Sequence, residues 1–200
     1  MADPAVLSLS QQWPLPDHPE PAAVLLAAWS QPHRRYHDLR HLGECLQAAT
    51  VLGAGPDERL ALWFHDAVHT NTPGADESAS AELVGRLLAS LVPSERIAEV
   101  ARLVLMTRHH RPQPGDHRGA VVCDADLWVL GAEAGRYAES VRDLRAEQAI
   151  PDRAWTRRRR AQLVERLSRP IYYSRPGAGR EQRARTNLTA ELAGLGPGQA

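Results

Sequence analysis

Lysine is absent from this chain: all 24 of its basic residues are arginine. With no lysine, and no glycine-rich turn between a strand and a helix, a P-loop for nucleotide phosphates is excluded. Only two cysteines occur, Cys45 and Cys123, without CxxC spacing and inside apolar patterns. That excludes a disulfide framework and reads as two small buried thiols in a reducing cytoplasm. No uninterrupted apolar stretch approaches the ~20 residues of a membrane span. The start of the chain has no basic segment ahead of its apolar residues, so no signal peptide is expected. Internal repeats are missing too, and the one biased block is Arg157 to Arg160.

What is present suits one domain with a sizeable core: 200 residues, 43% hydrophobic, with a formal net charge of zero. The charge is unevenly laid out. Residues 1–100 carry 6 Arg against 13 Asp and Glu, a balance of −7, and residues 101–200 carry 18 Arg against 11, a balance of +7. Such asymmetry marks either a phosphate- or nucleic-acid-facing half or a solvated arginine face paired to the acidic half, and the second is the better reading.

Residues 1–21, broken by Pro14, Pro16, Pro19 and Pro21, read as an irregular proline-rich arm. Residues 22–194 read as the helical domain and 195–200 as a frayed tail. Helices are expected at 21–29, 33–52, from a cap at Asp57, at 76–91, 94–109, 133–149, 154–168 and 180–194. Loops are expected at 71–75, 111–119 and 169–179. The valine-rich segment 121–130 is a helix as well, because a lone strand would find no partner. The fold class is therefore all-α, a single-domain helical bundle, with any site between its central helices.

His37 and His41 are four apart, which on a helix puts both imidazoles on one face. His65-Asp66 sits in the apolar run Leu60 to Val68, and Asp124 and Asp126 interrupt another. Imidazoles and carboxylates inside apolar helices are costly to bury unless a charge meets them. They are also the ligands of a divalent metal that performs hydrolysis.

The order of these residues resembles the HD superfamily of metal-dependent phosphohydrolases, and in particular a bacterial branch of about this length. That branch carries R-x-Y-H-x-x-x-H, W-F-H-D, E-x-x-S-A, T-x-x-H, D-x-D-L-x-x-L-G and A-R-x-N-L. Here they stand as Arg34, Tyr36, His37 and His41; Trp63-Phe64-His65-Asp66; Glu77, Ser80 and Ala81; Thr107 and His110; Asp124, Asp126, Leu127, Leu130 and Gly131; and Ala184, Arg185, Asn187 and Leu188. The resemblance spans roughly residues 29 to 191, and six ordered motifs are far more specific than one His-Asp pair.

The resemblance implies a metal held by His41, His65, Asp66 and Asp126, with Asp66 able to bridge to a second ion. Four protein ligands leave a six-coordinate ion such as Mn, Fe, Co, Ni or Mg room for water and substrate, and Zn is a further candidate for the divalent ion. By similarity to the Y-H-x-x-x-H of mammalian cyclic nucleotide phosphodiesterases, His37 is the general acid and His41 the ligand. Glu77 is expected to hydrogen-bond a metal-bound water or a ligating histidine. Arg34 and Arg40 are expected to hold a substrate phosphate, and His110 to serve as a phosphate donor or a further ligand. Asp124, about 200° round the helix from Asp126, caps or orients a neighbour. The implied activity is hydrolysis of a nucleotide or other small phosphate ester by a cytoplasmic monomer or homodimer with no membrane partner. Two alternatives stand beside it. A di-iron HD-type oxygenase would need extra histidines, for which His109 and His110 are the candidates. A non-catalytic nucleotide- or RNA-binding module would use the arginine-rich C-terminal half.

Overall fold

The computed structural model describes residues 4–196, and among them there is no strand. The helices are α1 (Pro4–Ser10), α2 (Glu20–Trp29), α3 (Leu39–Val51), α4 (Pro56–Phe64), α5 (Ala75–Leu88), α6 (Ser94–Met106) and α7 (His117–Asp126). A 3₁₀ segment, Leu127–Gly131, runs on from α7, followed by α8 (Ala134–Glu147), α9 (Asp152–Leu167), α10 (Arg175–Ala178) and α11 (Glu181–Gly194). The expected all-α architecture is what the chain adopts, and no described helix is long and apolar enough to cross a membrane.

The bundle is built round α4, which packs against α3, α5, α6 and α7. Leu60, Ala61, Leu62, Trp63 and Phe64 are all fully buried, so the second half of this helix is apolar on every side, as a central helix's must be. The indole N–H of Trp29 on α2 donates to the carbonyl of Trp63 at 3.0 Å, giving a buried polar atom its partner. A second, smaller core gathers Tyr137, Leu163, Ile171, Tyr172, Ala184 and Leu188 from α8, α9, the α9–α10 connection and α11. Trp128 touches both cores. Asn187 fastens α11 to the 3₁₀ segment by donating to the carbonyls of Leu130 and Ala132, each at 2.9 Å. Arg185 donates to the carbonyls of Leu167 and Arg169.

The N-terminal arm is irregular over residues 11–19 but not over Pro4–Ser10. It forms α1, and Leu9 and Trp13 are buried in the main core. The Trp13 ring meets Trp63 edge-on at 5.2 Å, and its N–H donates to the His18 carbonyl at 2.8 Å. Apolar anchoring of this kind outweighs the irregularity that the prolines impose. At the other end Leu195 packs against the smaller core, while residues 197–200 of the expected frayed tail lie outside the described residues.

Helix α3 begins six residues later than its periodicity suggests. Asp38 is its N-cap, accepting hydrogen bonds from the backbone N–H of Arg40 and His41. His37 therefore lies ahead of the helix and not one turn below His41. Asp57 is not a cap: Gly55 precedes the first turn, Pro56 opens it, and the Asp57 carboxylate pairs with Arg96 and Arg118. Helix α7 starts within the expected 111–119 loop because Asp116 accepts from Gly119 N–H and caps it.

Candidate metal centre

Three helix ends meet beside the central helix. The first turn of α3 brings His41, the residues just past α4 bring His65 and Asp66, and the last residue of α7 brings Asp126. His41 Nε2 is 3.3 Å from His65 Nε2 and 3.2 Å from Asp126 Oδ1. His65 Nε2 is 3.1 Å from Asp66 Oδ2 and 3.5 Å from Asp126 Oδ1, and His41 Nε2 is 3.8 Å from Asp66 Oδ2. Both imidazoles are buried.

His65 Nδ1 is 2.8 Å from the Leu62 carbonyl, so it carries the hydrogen and turns the lone pair of Nε2 toward its neighbours. Two imidazole nitrogens and two carboxylate oxygens thus gather within a few ångströms, and of these His65 Nε2 and both carboxylate oxygens are acceptors in their ordinary states. A positive charge between them favours that arrangement. An ion bound at about 2.0–2.2 Å separates neighbouring donors by roughly 3.0 Å at a right angle and 3.5 Å at a tetrahedral one. The separations among His41, His65 and Asp126 centre on that interval, so these three could hold a metal ion; Asp66 lies close to His65 but outside the set whose ligand atoms are all within 4.8 Å of one another, a set that takes in Cys45 instead. Without an ion, protons take its place. Burial works against charge on His65, but the Asp66 and Asp126 carboxylates outweigh it and raise His65 well above its ordinary value. Burial also opposes ionisation of Asp66, yet His65 and His37 hold it below the usual carboxylate range. Asp126 is likewise depressed, through His65, His110 and His41.

Cys45, read as a plain buried thiol, stands at the edge of this cluster. Its ligand atom and those of His41, His65 and Asp126 lie within 4.8 Å of one another. Burial, then Asp126 and Asp66, push its thiol well above the ordinary range, so it remains protonated beside the carboxylates.

A second group, absent from the sequence reading, forms round Glu147 at the end of α8. Its Oε2 accepts the backbone N–H groups of Arg35, Tyr36 and His37 at 2.8, 3.0 and 3.1 Å. Its Oε1 is 2.5 Å from His37 Nδ1 and 2.9 Å from His69 Nε2. Although His37, His69 and Glu147 have the spacing of metal donors, five hydrogen bonds already occupy the carboxylate, which makes it the anchor of the loop before α3. With Nδ1 held by Glu147, His37 turns Nε2 toward Asp66, 3.9 Å away. Burial opposes a charge on His37, but Asp66 and Glu147 prevail and raise it above its ordinary value.

The remaining expected residues separate. Asp124 faces away from the cluster, as its helical position requires. Its carboxylate accepts Tyr173 and Ser174 N–H, each at 2.8 Å, and a Cβ on Gly177 would come within 2.3 Å of it. Arg34 does not face the cavity. It is 3% exposed and spends its guanidinium on the carbonyls of His37, Asp66 and Ala67. Those carbonyls belong to chain outside helices and have no backbone partner there, which is why a cation is buried among them. Arg40 is exposed and paired with Glu139 and Glu44, away from the site. Glu77 lines the cavity, but its carboxylate accepts the Gly74 N–H at the start of α5, a capping role. His110, at φ 48°, joins the cluster: Nε2 is 2.7 Å from Asp126 Oδ2 and Nδ1 is 3.3 Å from Arg166 Nη2. Arginine can only donate, so His110 Nδ1 accepts and Nε2–H donates to Asp126. Burial keeps His110 below its ordinary value and neutral.

The cluster floors a cavity of about 720 Å³. His37, Asp66, His110 and Asp126 line its base, and one face of α9, with Arg158, Arg159, Gln162 and Arg166, forms a wall. No family model, curated protein or solved structure matches the chain.

Proposed function

We propose that this protein is a metal-dependent phosphohydrolase of the HD type, acting on a nucleotide or other small phosphate ester. The observation that carries this reading is the convergence of His41, His65, Asp66 and Asp126 beside an arginine-walled cavity that the two carboxylates line. These four residues would hold a divalent ion, with its remaining positions open to the cavity. Bound there, such an ion supplies Lewis acidity to a phosphoryl oxygen and lowers the pKa of a water. Neutral His110, donating to Asp126, fixes the orientation of that carboxylate. His37, held at Nδ1 by Glu147, turns Nε2 to the cavity, where in its protonated form it can pass a proton to the leaving oxygen. Arginines in the wall offset the charge of the phosphoryl oxygens.

Of the two histidines on which the di-iron oxygenase alternative calls, His109 is exposed and His110 alone reaches the cluster, through Asp126. The test is metal analysis of protein purified without added metal, followed by a panel of phosphate mono- and diesters with each ion found. Phosphate release that depends on the ion supports the reading. A metal-free protein that gains no activity with any divalent ion overturns it.

A further inference from the structure

Most arginines round the cavity are already committed. Arg159 makes a double hydrogen bond to Glu191, at 2.7 and 3.0 Å. Arg169 and Arg111 share Glu165, and Arg169 also donates to the carbonyls of His109 and His110. Arg108 donates to the Gly74 carbonyl and the Ser78 hydroxyl. Arg166 differs. Among the described residues no carboxylate lies within ion-pair distance of it, its Nη2 is spent on the neutral nitrogen of His110, and its buried Nη1 has no hydrogen-bond partner.

An arginine is always charged, and a buried guanidinium donor without an acceptor costs free energy that native proteins seldom leave uncompensated. We infer that Arg166 is a phosphate subsite: its guanidinium, which lines the cavity and has no carboxylate partner among the described residues, receives an oxygen of the substrate's phosphoryl group, or of inorganic phosphate as product. This inference rests on the phosphohydrolase reading for the identity of the anion, though not for the existence of the subsite. Three facts place it. Arg166 lines the cavity that holds His37, Asp66 and Asp126. The chain Arg166–His110–Asp126 links it to the cluster through two hydrogen bonds, of 3.3 and 2.7 Å. Arg166 also lies on the α9 face that carries Arg159 and Leu163 at helical spacing, so its stem is packed and the guanidinium is held in advance. Burial, and then the Arg169 cation, weaken the hold of Arg166 on its own proton, and an incoming anion would reverse both effects. The residues expected to do this work, Arg34 and Arg40, are occupied elsewhere. The cavity volume suits an ester of ordinary metabolite size.

The experiment is isothermal titration of inorganic phosphate into the full-length protein, the Arg166→Gln variant and the Arg166→Lys variant, paired with kinetics on p-nitrophenyl phosphate. Loss of a charged hydrogen bond predicts roughly 10- to 100-fold weaker phosphate binding in Arg166→Gln. KM should rise with it. Arg166→Lys keeps the charge but not the fork, and should recover part of the affinity; it also serves if the Gln variant does not fold. Phosphate binding that disappears with Arg166, in a protein that hydrolyses no ester, upholds the subsite and defeats the phosphohydrolase reading. Hydrolysis with unchanged phosphate affinity and KM in both variants overturns the subsite and leaves that reading standing. Wild-type protein that binds no phosphate also overturns it.

Discussion

Replacing Glu147 by glutamine keeps the shape of the side chain and removes only its charge, while five hydrogen bonds depend on that carboxylate. Three come from backbone N–H groups of residues 35–37 and two from the imidazoles of His37 and His69. A hydrogen bond to a charged group contributes about 1.5–3 kcal/mol, and a neutral one about 0.5–1.5. Glutamine can still accept through one oxygen, but its NH₂ must turn either on the three N–H donors or on the two imidazoles. Losing even the smaller set, two bonds to a charged group, predicts at least about 3 kcal/mol of destabilisation. For a chain of this size that is a fall in Tm of at least about 6 °C, at ~2–4 °C per kcal/mol. The pH dependence has a definite sign. Burial would raise Glu147, but the hydrogen bonds from His37 and His69 hold it far below the usual carboxylate range. Its contribution is therefore complete above the ordinary glutamate pKa and fades only as the solution becomes strongly acid. Thermal melts of both proteins at pH 7 and pH 4 test this. A change in Tm below about 2 °C at pH 7 would refute the claim that Glu147 holds the loop.

Three further outcomes are expected. Asp66→Ala should lose its metal and its hydrolysis while keeping the helical circular dichroism signal, because the Asp66 carboxylate meets only histidines and anchors no backbone; unfolding in the presence of metal would speak for a structural role. His37→Ala should keep its metal but slow turnover by ~10²–10⁴-fold on an ester with a poor leaving group, and far less on a nitrophenyl ester; equal losses on both would rule out proton donation, and loss of the metal would make His37 a ligand. Trp13→Ala should cost about 3–5 kcal/mol in denaturant unfolding, since the ring is buried against Trp63; a neutral result would return the N-terminal segment to the status of a loose arm.

The fold class was legible because helical periodicity is a local property, and the absence of alternating segments left α4 nothing to be but a central helix. Where reading failed locally, the signal was present but outweighed. Asp38, just ahead of Leu39, has the chemistry of an N-cap, yet the His37–His41 spacing argued for a continuous helix across it. The arm was misjudged for a similar reason, since prolines say where a helix stops and nothing about whether Trp13 beyond it finds a core.

The contribution of Glu147 was out of reach for another reason. It sits 110 residues from His37, at the end of an ordinary amphipathic helix, and no spacing connects the two. The same holds for Arg166, which nothing in Arg157 to Arg160 or its surroundings singles out. The arginine that binds an anion is not the one beside the histidines in sequence but the one whose neighbours leave it unpaired. Arg34 is consumed by the carbonyls of His37, Asp66 and Ala67, so a cation next to the histidine motif serves the backbone there. Ligand type can be read from a chain because it follows from residue chemistry. Partnership cannot, because it depends on which donors and acceptors the rest of the fold has already used.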